Sequence, residues 1–236
     1  MLGVLINTAT VILGSITGML FSKFISDKYT SAIMTAIGLC TLYIGFDGAL
    51  KGDNTLVLII SMALGTTLGT LLGIDDGINK IGTWVENKFS KKDNTKTSVA
   101  QGFVTASLLF CIGSMTIVGS LNAGIHGDNT LLITKAVLDL ISSCVLASSM
   151  GLGVLCSAVF VLVFQGALVL SAGFIAPFLS VSAQNELICA GSVMIIALGL
   201  NLIGVTKIKV ANMLPALVVA PILEYPLSIL MKQIGL

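Results

Sequence analysis

"LLITKAVLDLISSCVLASSMGLG", residues 131–153, decides how the chain is read. It has the length and the apolar content of a helix buried in hydrocarbon, yet it carries Lys135 and Asp139 four residues apart. A charge near the middle of a bilayer costs about 2.5–3.5 kcal/mol on insertion scales. Two such charges in one span need a reason, and the remainder of the chain has to supply it.

The surrounding composition makes the membrane setting firm. Of 236 residues, 56% are hydrophobic and only 10% are charged, and the mean hydropathy is +1.05. Soluble domains carry roughly 25% charged residues, and a soluble fold of this length could not hide so much apolar surface. A spanning helix needs about 20 mainly apolar residues to cross a core of roughly 30 Å. Eight segments qualify: residues 2–22, 31–50, 55–73, 101–122, 130–150, 151–176, 186–204 and 210–231. Only "SSMGLG" separates the fifth from the sixth, so the count falls to seven if that break is not a turn. Runs this long lack the alternation of a β-barrel. The expected fold is an all-α integral membrane protein, one transmembrane domain over residues 1–236, built as a bundle of about eight helices. The opening "MLGVLINTATVILGSITGML" has no basic leading region and no small-residue cleavage site, so it reads as a retained first span.

The lysines orient the bundle. The chain has twelve lysines and no arginine. Lys23 and Lys28 follow the first span, Lys80, Lys88, Lys91, Lys92 and Lys96 follow the third, and Lys207 and Lys209 follow the seventh. With eight spans these nine fall on one side, leaving Lys51 and Lys232 opposite. The positive-inside rule places the nine in the cytoplasm and both termini outside. Residues 74–100 form the single long polar loop, within which Ile78, Ile81, Trp84, Val85 and Phe89 recur at helical spacing. A short amphipathic helix on the inner membrane surface is expected there.

Other signals are weaker. The five cysteines lie in apolar spans without metal or redox spacing, and His126 stands alone, so neither a metal nor a cofactor is expected. No nucleotide-binding loop is present, and nothing points to nucleic acid. "KGDNTLVLII" (51–60) and "HGDNTLLITK" (126–135) share Gly-Asp-Asn-Thr-Leu before a span. They read either as two independent helix starts or as internal hairpin repeats of the kind seen in transporters. Gly14 and Gly18, and Gly65, Gly69 and Gly73, have the spacing that lets helices approach closely in lipid. Such faces could pack within the chain or join copies of it.

In the fifth span, Asp139 lies about 13 Å and Lys135 about 8 Å below Thr130. Ser142, Ser143 and Ser149 fall on or beside the same stripe. The pair either locks helix packing or lines a solute pathway, since ionisable groups within a membrane usually face a cavity. Asn7, Gln165, Asn201 and Asn212 are further polar residues at depth, each needing partners. Pro215 and Pro221 interrupt the last span, freeing backbone carbonyls. Glu224 reads as interfacial first.

"KAVLDLISSCVLASSMGLGVLCSAVFVLVFQG" (135–166), "IALGLNLIGVTKIKVANMLPAL" (196–217) and "LGVLINTATVILGSITG" (2–18) resemble a bacterial membrane-protein family catalogued as domain of unknown function 554. The resemblance covers nearly the whole chain and implies a multi-pass protein of the prokaryotic cytoplasmic membrane, for which transport has been suggested. The family's recurring positions correspond to Asn7, Lys135, Asp139, Ser142, Ser143, Gln165, Gly166, Asn201, Asn212 and Pro215.

The expected function is a small secondary transporter or channel-like permease for a small polar solute or ion. Asp139 would be the cation or proton site and would face a wet hollow lined by spans one, five, six and eight. Lys135 would be its counter-charge, and Asn7, Gln165, Asn201 and Asn212 would complete the site. A non-catalytic accessory subunit is the alternative. An intramembrane enzyme fits less well, because Lys135 and Ser142 are two turns apart, roughly 10 Å along the axis.

Overall fold

A computed structural model describes residues 1–22, 27–89, 98–112, 114–175 and 180–234. Of the orienting lysines, Lys23, Lys91, Lys92 and Lys96 lie outside the described residues. The side chains of Lys28, Lys88, Lys232, Val85 and Phe89 lie outside them too.

Among the described residues the chain is helical throughout, with no strand. In order the helices are α1 (Leu2–Ser22), α2 (Asp27–Ala49), α3 (Thr55–Leu71), α4 (Ile74–Phe89), α5 (Val99–Cys111), α6 (Ser114–Ile125), α7 (Thr130–Met150), α8 (Leu152–Ile175) and α9 (Val181–Leu202). A 3₁₀ turn (Val210–Met213) and α10 (Ala216–Ile234) follow. Five segments are long and apolar enough to cross a membrane, or up to seven if two bent pairs each count as one span. The described part of α2 is a shorter apolar helix.

Each expected span coincides with a helix or a broken pair of helices, and three differ in detail. Gly151 ends α7 with φ 61°, a conformation that disfavours a Cβ, so the fifth and sixth spans are separate helices. The fourth span is broken: α5 and α6 meet at 60°, and the Thr116 hydroxyl crosses the break to donate to the Phe110 carbonyl at 3.0 Å. The seventh begins five residues early, because Ser180 accepts from the Ala183 N–H and caps α9. In the last span Pro215 sits immediately before α10 rather than inside it. Pro221 and Pro226 are inside.

The chain folds as two compact units. The first comprises residues 1–37 and 76–175, and the second residues 38–75 and 176–236. In the first, α1 lies against α7, α5 and α6 against α8, and α1 also against α8. A Cβ on Gly14 would stand 2.4 Å from the Leu140 carbonyl oxygen, and one on Gly18 2.1 Å from that of Cys144. These glycines let the α1 and α7 backbones touch. In the second unit α3 lies against α10 and the 3₁₀ turn, and α9 against α10. A Cβ on Gly69 would stand 2.0 Å from the Asn212 carbonyl oxygen, and one on Gly65 2.4 Å from the Ala216 nitrogen. Gly73 does not extend this face: with φ 62° and open space around it, it turns the chain out of α3.

The inside-out distribution of polarity fits a bilayer. Leu13 and Leu20 of α1, Ile141 of α7, and Val159, Leu170 and Phe174 of α8 are exposed, while Asn7, Ser15, Ser143 and Gln165 are completely buried. Exposed Leu and Phe around buried amides is costly in water and favourable in hydrocarbon. The protein is an all-α membrane bundle.

Candidate functional site

Three helices of the first unit converge on the charged pair. On α7 the Lys135 ammonium donates to Asp139 Oδ2, a close ion pair along one helix face. Both residues are buried, at 7% and 6% exposure. Lys135 Nζ also stands 5.8 Å from the centroid of the Phe110 ring on α5, within cation–π range. Phe110 is the residue whose carbonyl is held across the α5–α6 break. The lysine therefore faces a broken helix.

From α1, Asn7 lies beside the Asp139 carboxylate. Its amide N–H donates to Gln165 Oε1 of α8 at 3.2 Å. Both amides are completely buried, and that bond uses only part of their capacity. Asn7 Oδ1 and Gln165 Nε2 have no partner among the described residues, so one acceptor and one donor remain unspent beside the ion pair. Buried hydroxyls of the same unit are in the same condition: Thr105 and Ser107 on α5, Ser120 on α6 and Ser149 on α7. Natural proteins leave few buried polar groups unsatisfied, so these groups set the interior of the first unit apart.

Among the other expected residues, Ser143 is buried on the stripe, and its hydroxyl donates to the Leu140 carbonyl at 3.1 Å. Ser142 is exposed and does not join it. Asn201 and Asn212 belong to the second unit, and their bonds are made there. Asn201 Oδ1 accepts from the Thr206 hydroxyl (2.7 Å) and the Ile208 N–H (2.8 Å), while its Nδ2 donates to the Ile208 carbonyl (2.8 Å). It staples the loop after α9. Asn212 Oδ1 accepts from the Asp75 N–H at 2.9 Å, holding the first turn of α4, and Lys209 pairs with the Asp75 carboxylate at 3.7 Å. Asn201 clamps the loop after α9, and Asn212 clamps the residues just after α3. Within the first unit the centre draws on α1, α5, α7 and α8, and α5, from the broken span four, is a contributor the sequence reading did not name.

Lys135 and Asp139 are both less than a tenth exposed. One cavity of ≈ 250 Å³ is lined by apolar residues of α4, α5 and α8, including Ile78, Phe103 and Val159. Another, of ≈ 530 Å³, lies on the polar face of α4 at Asp76, Asn79, Lys80 and Thr83. No group of three metal-ligating side chains gathers among the described residues.

The repeated Gly-Asp-Asn-Thr motifs start α7 of the first unit and α3 of the second. Asn129 Oδ1 accepts from the Gly3 N–H of α1 at 2.9 Å. Asp128 Oδ1 accepts from the Thr130 hydroxyl (2.7 Å) and backbone N–H (2.9 Å), and these bonds, the hydroxyl's first, hold the Asp128 carboxyl below the usual carboxylate range. In the other copy Asn54 caps α3 by accepting from the Leu56 N–H at 3.0 Å. The backbone N–H groups of Asp53 and Asn54 donate to Glu186 on α9. Glu186, completely buried, is absent from the sequence expectations, as is Phe110. Glu186 stood at the edge of an apolar run, and only the Ser180 cap signals that the helix starts earlier.

The profile of a protein family of unknown function, DUF554, matches residues 2–225. The uncharacterised membrane protein YdfK of Bacillus subtilis is 35% identical over 229 residues, 95% of this chain and 96% of its own. The uncharacterised protein YqgA of Escherichia coli is 30% identical over 221 residues, 93% of this chain and 94% of its own. No solved structure matches the chain.

Proposed function

The chain belongs to the DUF554 family, and we propose that it is a small secondary transporter, or a channel-like permease, moving a small polar solute or ion across the bacterial cytoplasmic membrane. The observation that carries this reading is the Lys135–Asp139 pair, buried beside an unspent acceptor on Asn7 and an unspent donor on Gln165. A cation or proton would compete with Lys135 for Asp139, and an anionic group would compete with Asp139 for Lys135. The two amides would bond a polar solute. The break between α5 and α6 supports the reading further, since discontinuous helices recur where membrane proteins bind ions and solutes. Enclosure of the pair favours a carrier with an occluded state over an open pore. The reading is non-enzymatic: Lys135 is engaged by Asp139, Ser142 is exposed, and the Ser143 hydroxyl is spent on its own helix.

The same enclosure favours a second reading, an accessory subunit in which the ion pair fixes α7 against α1. Its glycine faces are taken up within the chain, so a homo-oligomer would need another surface. Asp139→Asn separates the two. Purified protein is screened by thermal shift against ions, amino acids and organic acids, and the hit is then followed as flux into proteoliposomes. A carrier yields a ligand that stabilises the wild type and loses its effect and coupled flux in Asp139→Asn. An accessory subunit yields no flux with either protein. Orientation, with both termini outside, is tested by reporter fusions: a carboxy-terminal alkaline phosphatase is active and a carboxy-terminal green fluorescent protein is dark.

A further inference from the structure

Among the described residues, Glu186 is a buried carboxylic acid that the pathway above does not use. It lies six residues past the cap of α9, about 9 Å along the axis, and is completely buried. Its Oε1 accepts two backbone N–H bonds, from Asp53 at 2.7 Å and Asn54 at 2.6 Å. Its Oε2 is buried with no partner among the described residues. The turn that donates to it is pressed close: a Cβ on Gly52 would stand 2.6 Å from the Cys189 sulfur, and the Cys189 thiol donates to the Ala49 carbonyl at 3.2 Å.

The charged neighbours are acids. Asp53, held by the Asn185 amide at 3.1 Å, and Glu224 on α10 are both within electrostatic reach of Glu186. No described lysine pairs with it; Lys51, nearest in sequence to the turn, pairs with Asp47 at 3.3 Å. An ionised Glu186 would therefore keep one buried oxygen with neither donor nor cation, facing two further negative groups. A buried carboxylate in that position avoids the cost by taking up a proton or a cation. The side chains around it do not make a metal-ligand set, and a proton needs no coordination shell.

We propose that Glu186 is a proton-binding site, with its proton on Oε2 and Oε1 left as the carbonyl oxygen that ties the Asp53–Asn54 turn to α9. Releasing the proton leaves a buried carboxylate facing Asp53 and Glu224, while the two N–H bonds to Oε1, which a carboxylate accepts more strongly, keep the turn tied to α9. The inference does not depend on the transport reading, because it concerns groups of the second unit alone.

The test uses the full-length protein in detergent and in nanodiscs. Thermal unfolding is followed across pH in choline buffer for wild type, Glu186→Gln and Glu186→Ala, and repeated with sodium or potassium chloride. Wild type is expected to lose stability as pH rises, by up to about tenfold in the folding constant per pH unit for one proton. Glu186→Gln, which keeps an oxygen for the two N–H groups, loses that component. Glu186→Ala is weakened at every pH. Infrared spectra at neutral pH are expected to contain a protonated-carboxyl band that Glu186→Gln removes and Glu186→Asp shifts. An unchanged pH profile in Glu186→Gln overturns the proposal, as does a carboxyl band that neither variant alters. Sodium or potassium raising the wild-type midpoint but not that of Glu186→Gln would also overturn it, by making the occupant a metal cation. If Glu186→Gln fails to fold, the band of wild type against Glu186→Asp decides alone.

Discussion

At the scale of single residues, the ion pair and the glycine contacts make opposite kinds of prediction. Lys135→Met leaves Asp139 buried without its cation, and breaking a buried pair from one side costs about 3–5 kcal/mol. Replacing both, as Lys135→Met with Asp139→Leu, is expected to recover most of that loss, measured by denaturant unfolding in mixed micelles. A double variant as unstable as the single would mean that the site depends on charge rather than on fit. Gly69→Ala drives a Cβ into the Asn212 carbonyl and is expected to cost about 1–3 kcal/mol by overpacking. At Gly73 nothing obstructs a Cβ, and the penalty comes from φ alone. Asn tolerates that backbone region, so Gly73→Asn should be mild where Gly69→Asn is severe; thermal midpoints of the two check this. Lys135, Asp139, Asn7 and Gln165 were legible in the sequence because a polar residue in an apolar run is conspicuous. Glu186 was not, because it stands next to Gln184 and Asn185 and merges with what looks like a loop. Phe110 was not either, because a ring in an apolar span has no local sign of the cation it will face.

Among elements, the expected spans emerged because apolar length is a strong signal. Their interruptions emerged only where glycine or proline marks them. Gly151 and Pro215 were visible as breaks. The α5–α6 break was not, since "CIGSM" reads as continuous apolar helix and the bond from Thr116 to the Phe110 carbonyl is a tertiary decision. The roles of Asn201 and Asn212 were hidden for a related reason: an amide that staples a loop has the same letter as one that lines a pathway. Asn201→Ala removes three hydrogen bonds at about 1 kcal/mol each. A loss of about 3 kcal/mol is expected, with faster hydrogen exchange at Ile208 as the local readout. At the start of α7, the depressed Asp128 carboxyl contributes stability above the unfolded carboxylate range, and that contribution is lost as pH falls through its lower folded value. Asp128→Ala should therefore lower the melting midpoint at neutral pH and behave like wild type once the medium is acidic enough to protonate Asp128.

For the molecule as a whole, the two units are assembled from interleaved segments: residues 1–37 with 76–175, and 38–75 with 176–236. A chain stopped after residue 175 keeps every segment of the first unit and strips α3 of α9 and α10. Limited proteolysis of that fragment is expected to cut within residues 38–75 first and to spare α7 and α8. Equal protection throughout would mean that the second unit's first segment stands without its partners. Composition announced the membrane, and lysine spacing supplied an orientation to test. The interleaving was out of reach, because which distant span a helix chooses is written in close backbone approaches such as Gly14 to Leu140.

The ion pair has one more consequence, for biogenesis. Lys135 and Asp139 neutralise each other on a single helix, so α7 carries its own counter-charge and borrows none from another helix. A span whose counter-charge lay elsewhere would have to wait at the translocon for its partner to be synthesised. This one needs no such wait: α1 with Asn7 precedes it in the chain, and only Gln165 on α8 is still to come.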